Sequence, residues 1–449
     1  MSVQAERASN GQGEALPKPT SDESSAPRYG NGNAGQALQS LLMQALAREN
    51  LQHAWKRVKA NKGAAGVDGL DIAQTRQYLK HEWPVIREQL LVGKYRPSPV
   101  RRVGIPKADG SERELGIPSV TDRLIQQALL QVLQPLLDPT FSEHSYGFRP
   151  GRRAHGAVLA AQRYVQEGFR VVVDVDLSKF FDRINHDILI DRLRKRLPDD
   201  SVIWLIRAYL NAGIMHNGVV HVRSEGTPQG GPLSPLLANV LLDEVDQELE
   251  RRGHRFARYA DDCNVYVRSR QAGQRVMALL ERLYTKLHLK INESKSAVGS
   301  AFGRKFLGYS LWAAPKGEIK CKVAKTALAK FKQQIRERTR RSGGCSLAQA
   351  IDKLRPYVIG WKNYFSLAQT PKVWRKLDEW MRHRLRAIQL KAWKRGKTIY
   401  RELLAMGAGA NVARTVAANS RRWWRNSRYA LNNVMTIAYF DSLGMPRLA

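Results

Sequence analysis

Cysteine is scarce in this chain. Cys263, Cys321 and Cys345 are the only three among 449 residues, and none forms a Cys-x-x-Cys pair. That argues against a disulfide framework or a structural zinc site and for a reducing compartment. Long apolar runs are missing as well: no stretch approaches the ~18 residues that crossing a membrane requires. Residues 1–35 are rich in Ser, Gly, Pro, Asn and Gln but have no apolar core of a secretory signal. The acids among them argue against an organellar transit peptide, so they read as a disordered tail. No Ser/His/Asp or Cys/His set stands out among the ten histidines. Acids are few overall, 40 Asp and Glu against 74 Lys and Arg, for a net +34. An excess of that size points to a polyanionic partner.

The excess is concentrated late in the chain. Residues 301–449 hold 32 Lys and Arg against 7 Asp and Glu, a balance of +25, and seven of the ten Trp. Basic groups interleaved with aromatics suit phosphate contact and base stacking. Helical spacing of the Trp favours core positions for most of them.

Hydrophobic periodicity predicts a helix from Gln36 to about Lys62, a glycine loop at 63–69, and a second helix through Tyr78 to Leu91. A strand at 100–107, a turn at 108–111 and a return strand at 112–118 read as a hairpin. Asp122 to Leu137 is helical, and Arg170 to Val175 is a valine-rich strand that implies burial on both faces. Leu236 to Glu250 is a helix. Beyond Lys320 the pattern is almost wholly helical, broken at 342–344 and 407–409.

The chemistry concentrates in two places. The valine-rich strand ends at Asp174-Val175-Asp176, and Leu177 to Phe181 reads as opening a helix. Asp176 could cap that helix or face a cleft. Tyr259-Ala260-Asp261-Asp262 sits between two strand-like runs, as a self-capping turn or as a holder of divalent metal. Three carboxylates of this kind can hold two metal ions for in-line phosphoryl transfer, which needs placed charge more than a side-chain nucleophile. Between them lies Thr227-Pro228-Gln229-Gly230-Gly231-Pro232, a rigid turn that lets backbone approach a ligand closely.

Read in order, these segments resemble the reverse transcriptases encoded within group II introns. Asp176 with Phe180-Phe181 matches a first palm motif, Thr227 to Asn239 the next, and Tyr259 to Asp262 the metal-binding turn. Leu287 to Lys295 and Phe306 to Tyr309 match the motifs that follow. Upstream, Ile105 to Lys107 and Arg113 to Pro118 match the fingers, and Ser145 to Arg153 the insertion typical of the group. Tyr357 to Phe365 is similar to the maturase signature. The likeness covers roughly residues 38–445.

The resemblance implies an α+β right-hand polymerase with fingers, an antiparallel palm sheet and an α-helical thumb or maturase domain. A small basic C-terminal domain that resembles a short DNA-binding tail would follow. The expected divisions are 1–35, 36–312, 313–398 and 399–449. It implies an RNA-directed DNA polymerase that binds its intron RNA, assists splicing and copies RNA into DNA for retrohoming. Asp176, Asp261 and Asp262 would hold Mg²⁺, with Mn²⁺ as a substitute, and Lys295 would be a general acid for pyrophosphate. Lys107 and Arg113 would hold the triphosphate, Phe181 would exclude a 2′-hydroxyl, and Gln229 would touch nucleotide or template. Arg149, Arg152, Arg153, Lys362, Arg421, Arg422 and Arg425 would contact nucleic acid. Partners would be group II intron RNA, an RNA template, a DNA primer or target, and dNTPs, in a bacterial cytoplasm at the nucleoid.

Two departures from the pattern stand out. Glu114 replaces a usual proline, and Ser111-Glu112 stands where basic residues are common. No Cys pairs or His-Asn-rich module follow Leu448, so the family's endonuclease domain is expected to be missing and priming to use a pre-existing 3′ end. An RNA-binding splicing cofactor with an idle site, or a domesticated relative in repair or phage defence, are the rival readings.

Overall fold

A computed structural model describes residues 40–106, 112–216, 219–221, 225–227, 230–340, 344–428 and 431–449. The chain divides into two compact units, with the boundary between Ala301 and Phe302. The expected tail and the turn at 108–111 lie outside the described residues.

In the first unit, β1 (Val100–Pro106) and β2 (Glu112–Ile117) form the anticipated antiparallel pair. The second and more consequential sheet holds β3 (Val171–Val175), β6 (Arg255–Tyr259), β7 (Asp262–Val267) and β8 (Ala297–Ser300). Its order is β6-β7-β3-β8, antiparallel throughout. The remaining strands, β4 (Ile214–His216) and β5 (Val219–His221), extend the first sheet, with β4 parallel to β1.

Period-two alternation explains how β3 works. Val173 and Val175 face a large core with Cys263, Val265, Val267 and Phe256. That core continues into the helices Ser234–Arg251 and Arg270–Lys286 through Leu241, Val245, Leu280 and Tyr284. Each such side chain contributes roughly 1.5–3 kcal/mol by leaving water. The opposite face carries Val172 and Asp174, and Val172 is buried too, as a central strand requires. The sheet's core side therefore fixes the strands rigidly, while its other side presents acids at one end.

The second unit begins with a hairpin rather than a helix. β9 (Lys305–Phe306), β10 (Tyr309–Ala313) and β11 (Ile319–Val323) form a three-stranded antiparallel sheet. The sequence-based boundary at 312 would have cut through β10. Helices follow at Lys325–Arg338, Leu347–Tyr364, Pro371–Trp393, Gly396–Ala405 and Ala410–Ala418. The expected break at 407–409 is there, with Gly407 at φ 81°. One core runs through Phe331, Leu354, Leu385, Leu403, Phe440 and Leu448, so no separate core begins at residue 399. Five of the seven late Trp (Trp361, Trp374, Trp380, Trp393 and Trp423) pack against it, as helical spacing foretold. Trp424 does not; 42 % of it is exposed.

Candidate active site

The register of β3 and β7 builds the site. Val175 is opposite Cys263, and the hairpin of β6 and β7 closes with Tyr259 opposite Asp262. One further step along the same antiparallel ladder sets Asp176 abreast of Asp262, so the backbone brings both acids to one end of the sheet. Ala260 and Asp261 are the two-residue loop, and Ala260 adopts φ 57°. A non-glycine residue there stores strain that its surroundings must hold.

Asp176 is not a helix cap. The next helix starts at His186 and is capped by Asn185, whose side chain accepts from the Ile188 N–H. Nor does a helix open at Leu177: Lys179 takes φ 49°, and Phe180–Arg183 is a single 3₁₀ turn. What engages Asp176 is the segment 290–296. Asn292 Nδ2 donates to Asp176 Oδ2 at 3.2 Å, and Lys295 Nζ lies 3.6 Å from the same oxygen. The backbone is laced as well, with the Asn292 N–H donating to Asp176 O at 2.8 Å and the Asp176 N–H to Ser296 Oγ at 3.0 Å. Lys295 thus lies within ion-pair distance of Asp176. Asn292 and Ser296 escaped the sequence reading, although Asn-x-x-Lys-Ser within a matching motif was visible.

The neighbouring acid Asp174 lies opposite Asn264. With its amide turned to suit its neighbours, Asn264 donates to Asp174 Oδ1 at 2.9 Å. Cys263 is inert: burial pushes its thiol up to about 12.

A buried arginine supports the hairpin. Arg258 is 1 % exposed, and its guanidinium donates to both oxygens of Asp246, to Asn239 Oδ1 at 3.0 Å and to Ser145 Oγ at 2.8 Å. It also donates to the carbonyl of Ala260, inside the acidic turn, at 2.9 Å. Burial opposes its charge, but Asp246 outweighs that and holds Arg258 above its ordinary value. Ser145 bridges Arg258 in parallel, so the loop before the helix Ala154–Gln166 runs alongside β6. Gly147 in that loop is obligatory for close approach: a Cβ there would meet the Ala260 nitrogen at 2.2 Å. Asn239, Asp243 and Asp246 recur at helical spacing among buried leucines. That was the signal for this network.

Phe181 is half-buried against the core, with its ring 5.0 Å from that of Phe180. Its carbonyl accepts from the Thr227 N–H at 2.7 Å, and Ile184 O accepts from Gly226 N–H. Gly226 has φ 93°, and a side chain there would press on Asp182 backbone. Its carbonyl lies 2.7 Å from His186 Nε2. The start of the glycine-proline loop and the Phe181 segment are therefore one mechanical piece.

The other expected contacts divide. Gln229 and Lys107 lie outside the described residues, and Arg113 is on β2 opposite Ile105, its side chain outside the described set. Arg149 must be corrected. It is buried, donating to the Asp138 carboxylate and to the carbonyls of Asp138, Ser142 and Ser145. Every guanidinium donor is occupied inside the protein, so it cannot meet a phosphate. Arg152 pairs with Glu143 and lies over the Tyr146 ring, while Arg153 is exposed. Lys362 donates to Arg447 O, and Arg421, Arg422 and Arg425 are exposed.

Among the described residues, no three His, Cys, Asp or Glu side chains converge closely enough to hold a metal ion. The donor chemistry at the sheet end is nonetheless all carboxylate oxygen, which suits a hard divalent cation.

The sheet end thus carries an acid at the end of a central strand beside an acidic hairpin. Residues 105–311 match the family model for reverse transcriptase (RNA-dependent DNA polymerase), and residues 328–405 that for the group II intron maturase-specific domain. The chain therefore joins a reverse transcriptase domain to a group II intron maturase-specific domain, in that order. It is 38 % identical over 221 residues to protein YkfC of Escherichia coli, covering 48 % of this chain and 58 % of that protein. It is 28 % identical over 376 residues to the group II intron-encoded protein LtrA of Lactococcus lactis, covering 69 % and 61 %. The chain thus spans about three-fifths of the length of these two relatives. A chain of a partial Cas6-RT-Cas1–Cas2 complex is 26 % identical with a TM-score of 0.37, over 56 % of this chain and 43 % of that one. Among the described residues no helix is long and apolar enough to cross a membrane.

Proposed function

We propose that this chain is an RNA-directed DNA polymerase that binds a group II intron RNA, assists its splicing and copies RNA into DNA. The β3–β7 register that sets Asp176 abreast of Asp262, with Lys295 3.6 Å from Asp176, supports this most strongly. Asp176, Asp261 and Asp262 would hold Mg²⁺, or Mn²⁺ in its place, through their carboxylate oxygens. When bound, the metal supplies charge that favours the primer 3′-alkoxide and the leaving pyrophosphate.

The protein's own groups complete the task. Lys295, with 62 % of its side chain exposed, is free to swing from Asp176 toward the leaving pyrophosphate and deliver a proton. Arg113 and Lys107 would meet the triphosphate, and Phe181 would lie under the sugar, its backbone fixed by Thr227. The exposed Arg153, Arg421, Arg422 and Arg425, with Arg152 and Lys362, would contact RNA or DNA.

Primer extension on an RNA template with Mg²⁺ tests the reading directly. Wild-type protein is expected to yield full-length DNA. No synthesis, with intron RNA still bound, would leave the splicing-cofactor reading instead. Replacing Phe181→Ala is expected to raise ribonucleotide use relative to deoxyribonucleotide by about tenfold or more. Unchanged sugar discrimination would remove Phe181 from the gate.

A further inference from the structure

Residues 406–449 lie beyond both family matches, yet they carry the most exposed indole described in the second unit. Trp424 sits in the short helix Trp423–Asn426 and is 42 % exposed. It is not loose. Its ring stacks on the His383 imidazole with centroids 3.7 Å apart and planes 28° apart. His383 Nε2 lies 2.9 Å from the Trp424 carbonyl oxygen, tying the same two residues a second time. Burial holds His383 below its ordinary value, so the stacked ring is neutral near pH 7. One face of the indole is therefore spent on His383, while 42 % of the residue stays exposed.

The surroundings are cationic. Arg421, Arg422 and Arg425 flank Trp424 in sequence and are exposed. Arg428 and Arg384 lie close enough to His383 to depress its protonation. The other Trp of the same helix, Trp423, packs on the core with Lys391 Nζ 5.3 Å from its ring. Side by side, one Trp anchors the helix and the other is displayed. An apolar protein partner would be poorly served by an indole with exposed arginines on both sides of it in sequence. A flat π-face among phosphate-binding cations suits an unpaired nucleobase and its flanking phosphates.

We propose that Trp424, stacked on His383, is a base-stacking platform for single-stranded nucleic acid, with Arg421, Arg422 and Arg425 holding the adjoining phosphates. The His383 contact fixes the indole before the strand arrives, which lowers the ordering cost of binding. Duplex hides its base faces, so the platform reads strandedness rather than sequence. The proposal takes from the polymerase reading only the class of partner.

The test is equilibrium anisotropy on the full chain with fluorescein-labelled oligo(dT) and oligo(U), and with an abasic strand of equal length. Trp424→Ala is expected to weaken binding of both base-bearing strands about 5- to 100-fold, leave abasic binding within about twofold, and keep the salt dependence. Trp424→Phe is expected to recover most of the loss. Arg425→Gln should weaken all three strands alike and flatten the salt dependence. A preference for oligo(dT) or oligo(U) would identify which strand the platform serves. Equal loss on base-bearing and abasic strands, or no loss, would overturn the proposal. Because binding is measured without synthesis, an inactive polymerase site would not affect the outcome.

Discussion

Asp261→Ala/Asp262→Ala is expected to lower DNA synthesis on a primed RNA template by on the order of 10³-fold or more, the scale of losing charge aimed at a phosphoryl transition state. Asp262 is exposed and Asp261 occupies the tip of a two-residue loop. Stability should therefore change little, within ~1 kcal/mol by denaturant unfolding. Binding of intron RNA should persist, because the late excess of positive charge lies beyond residue 300. Asp176→Asn should produce a comparable loss of synthesis through the other strand of the pair. Synthesis within tenfold of wild type in the double variant would show that these acids do not carry the reaction.

Arg258→Met is expected to cost more stability than any change at the acids themselves. It would leave the Asp246 carboxylate buried without a cation, a defect of roughly 3–5 kcal/mol. Arg258→Met/Asp246→Leu should recover most of that, because a packed apolar pair can replace a buried ion pair at little cost. Synthesis should not recover with it. The Ala260 carbonyl would still lack its donor at 2.9 Å, and a turn held at φ 57° would relax. Misplacing the acids by about 1 Å would lower synthesis ~10²-fold. A double variant that is stable and fully active would show that the arginine serves packing alone. Paired unfolding and primer-extension measurements separate the two outcomes.

The parts legible in sequence were those written in local pattern. A run of valines predicts a strand buried on both faces, and β3 lies inside its sheet between β7 and β8. Tyr259 to Asp262 predicts a hairpin because two strand-like runs flank it, and the register then aligns its acids with Asp176. Less legible were groups whose role depends on distant partners. Arg258 reads as one more basic residue until Asp246, on a preceding helix, neutralises it. Arg149 reads as a phosphate ligand for the same reason: it lies in a basic glycine loop, and its carboxylate partner Asp138 precedes that loop. The segment after Asp176 looked helical because Leu-x-x-Phe-Phe has helical spacing, but left-handed Lys179 breaks it into a single turn. Boundaries were hardest, since the hairpin of β10 and β11 carries too few residues to register against the helices around it.

The single core of the second unit separates kinship from integrity. Recognisable likeness to the maturase-specific domain stops at residue 405, but Leu431, Met435, Phe440 and Leu448 fill the same interior as Leu385 and Leu403. The Leu448 and Ala449 N–H groups donate to Asp378, in the middle of the long helix Pro371–Trp393. A fragment trimmed to the family boundary would expose that interior and strand a buried carboxylate. Within residues 406–449 the surface, where Trp424 and its arginines stand, is where side chains can change without opening that interior.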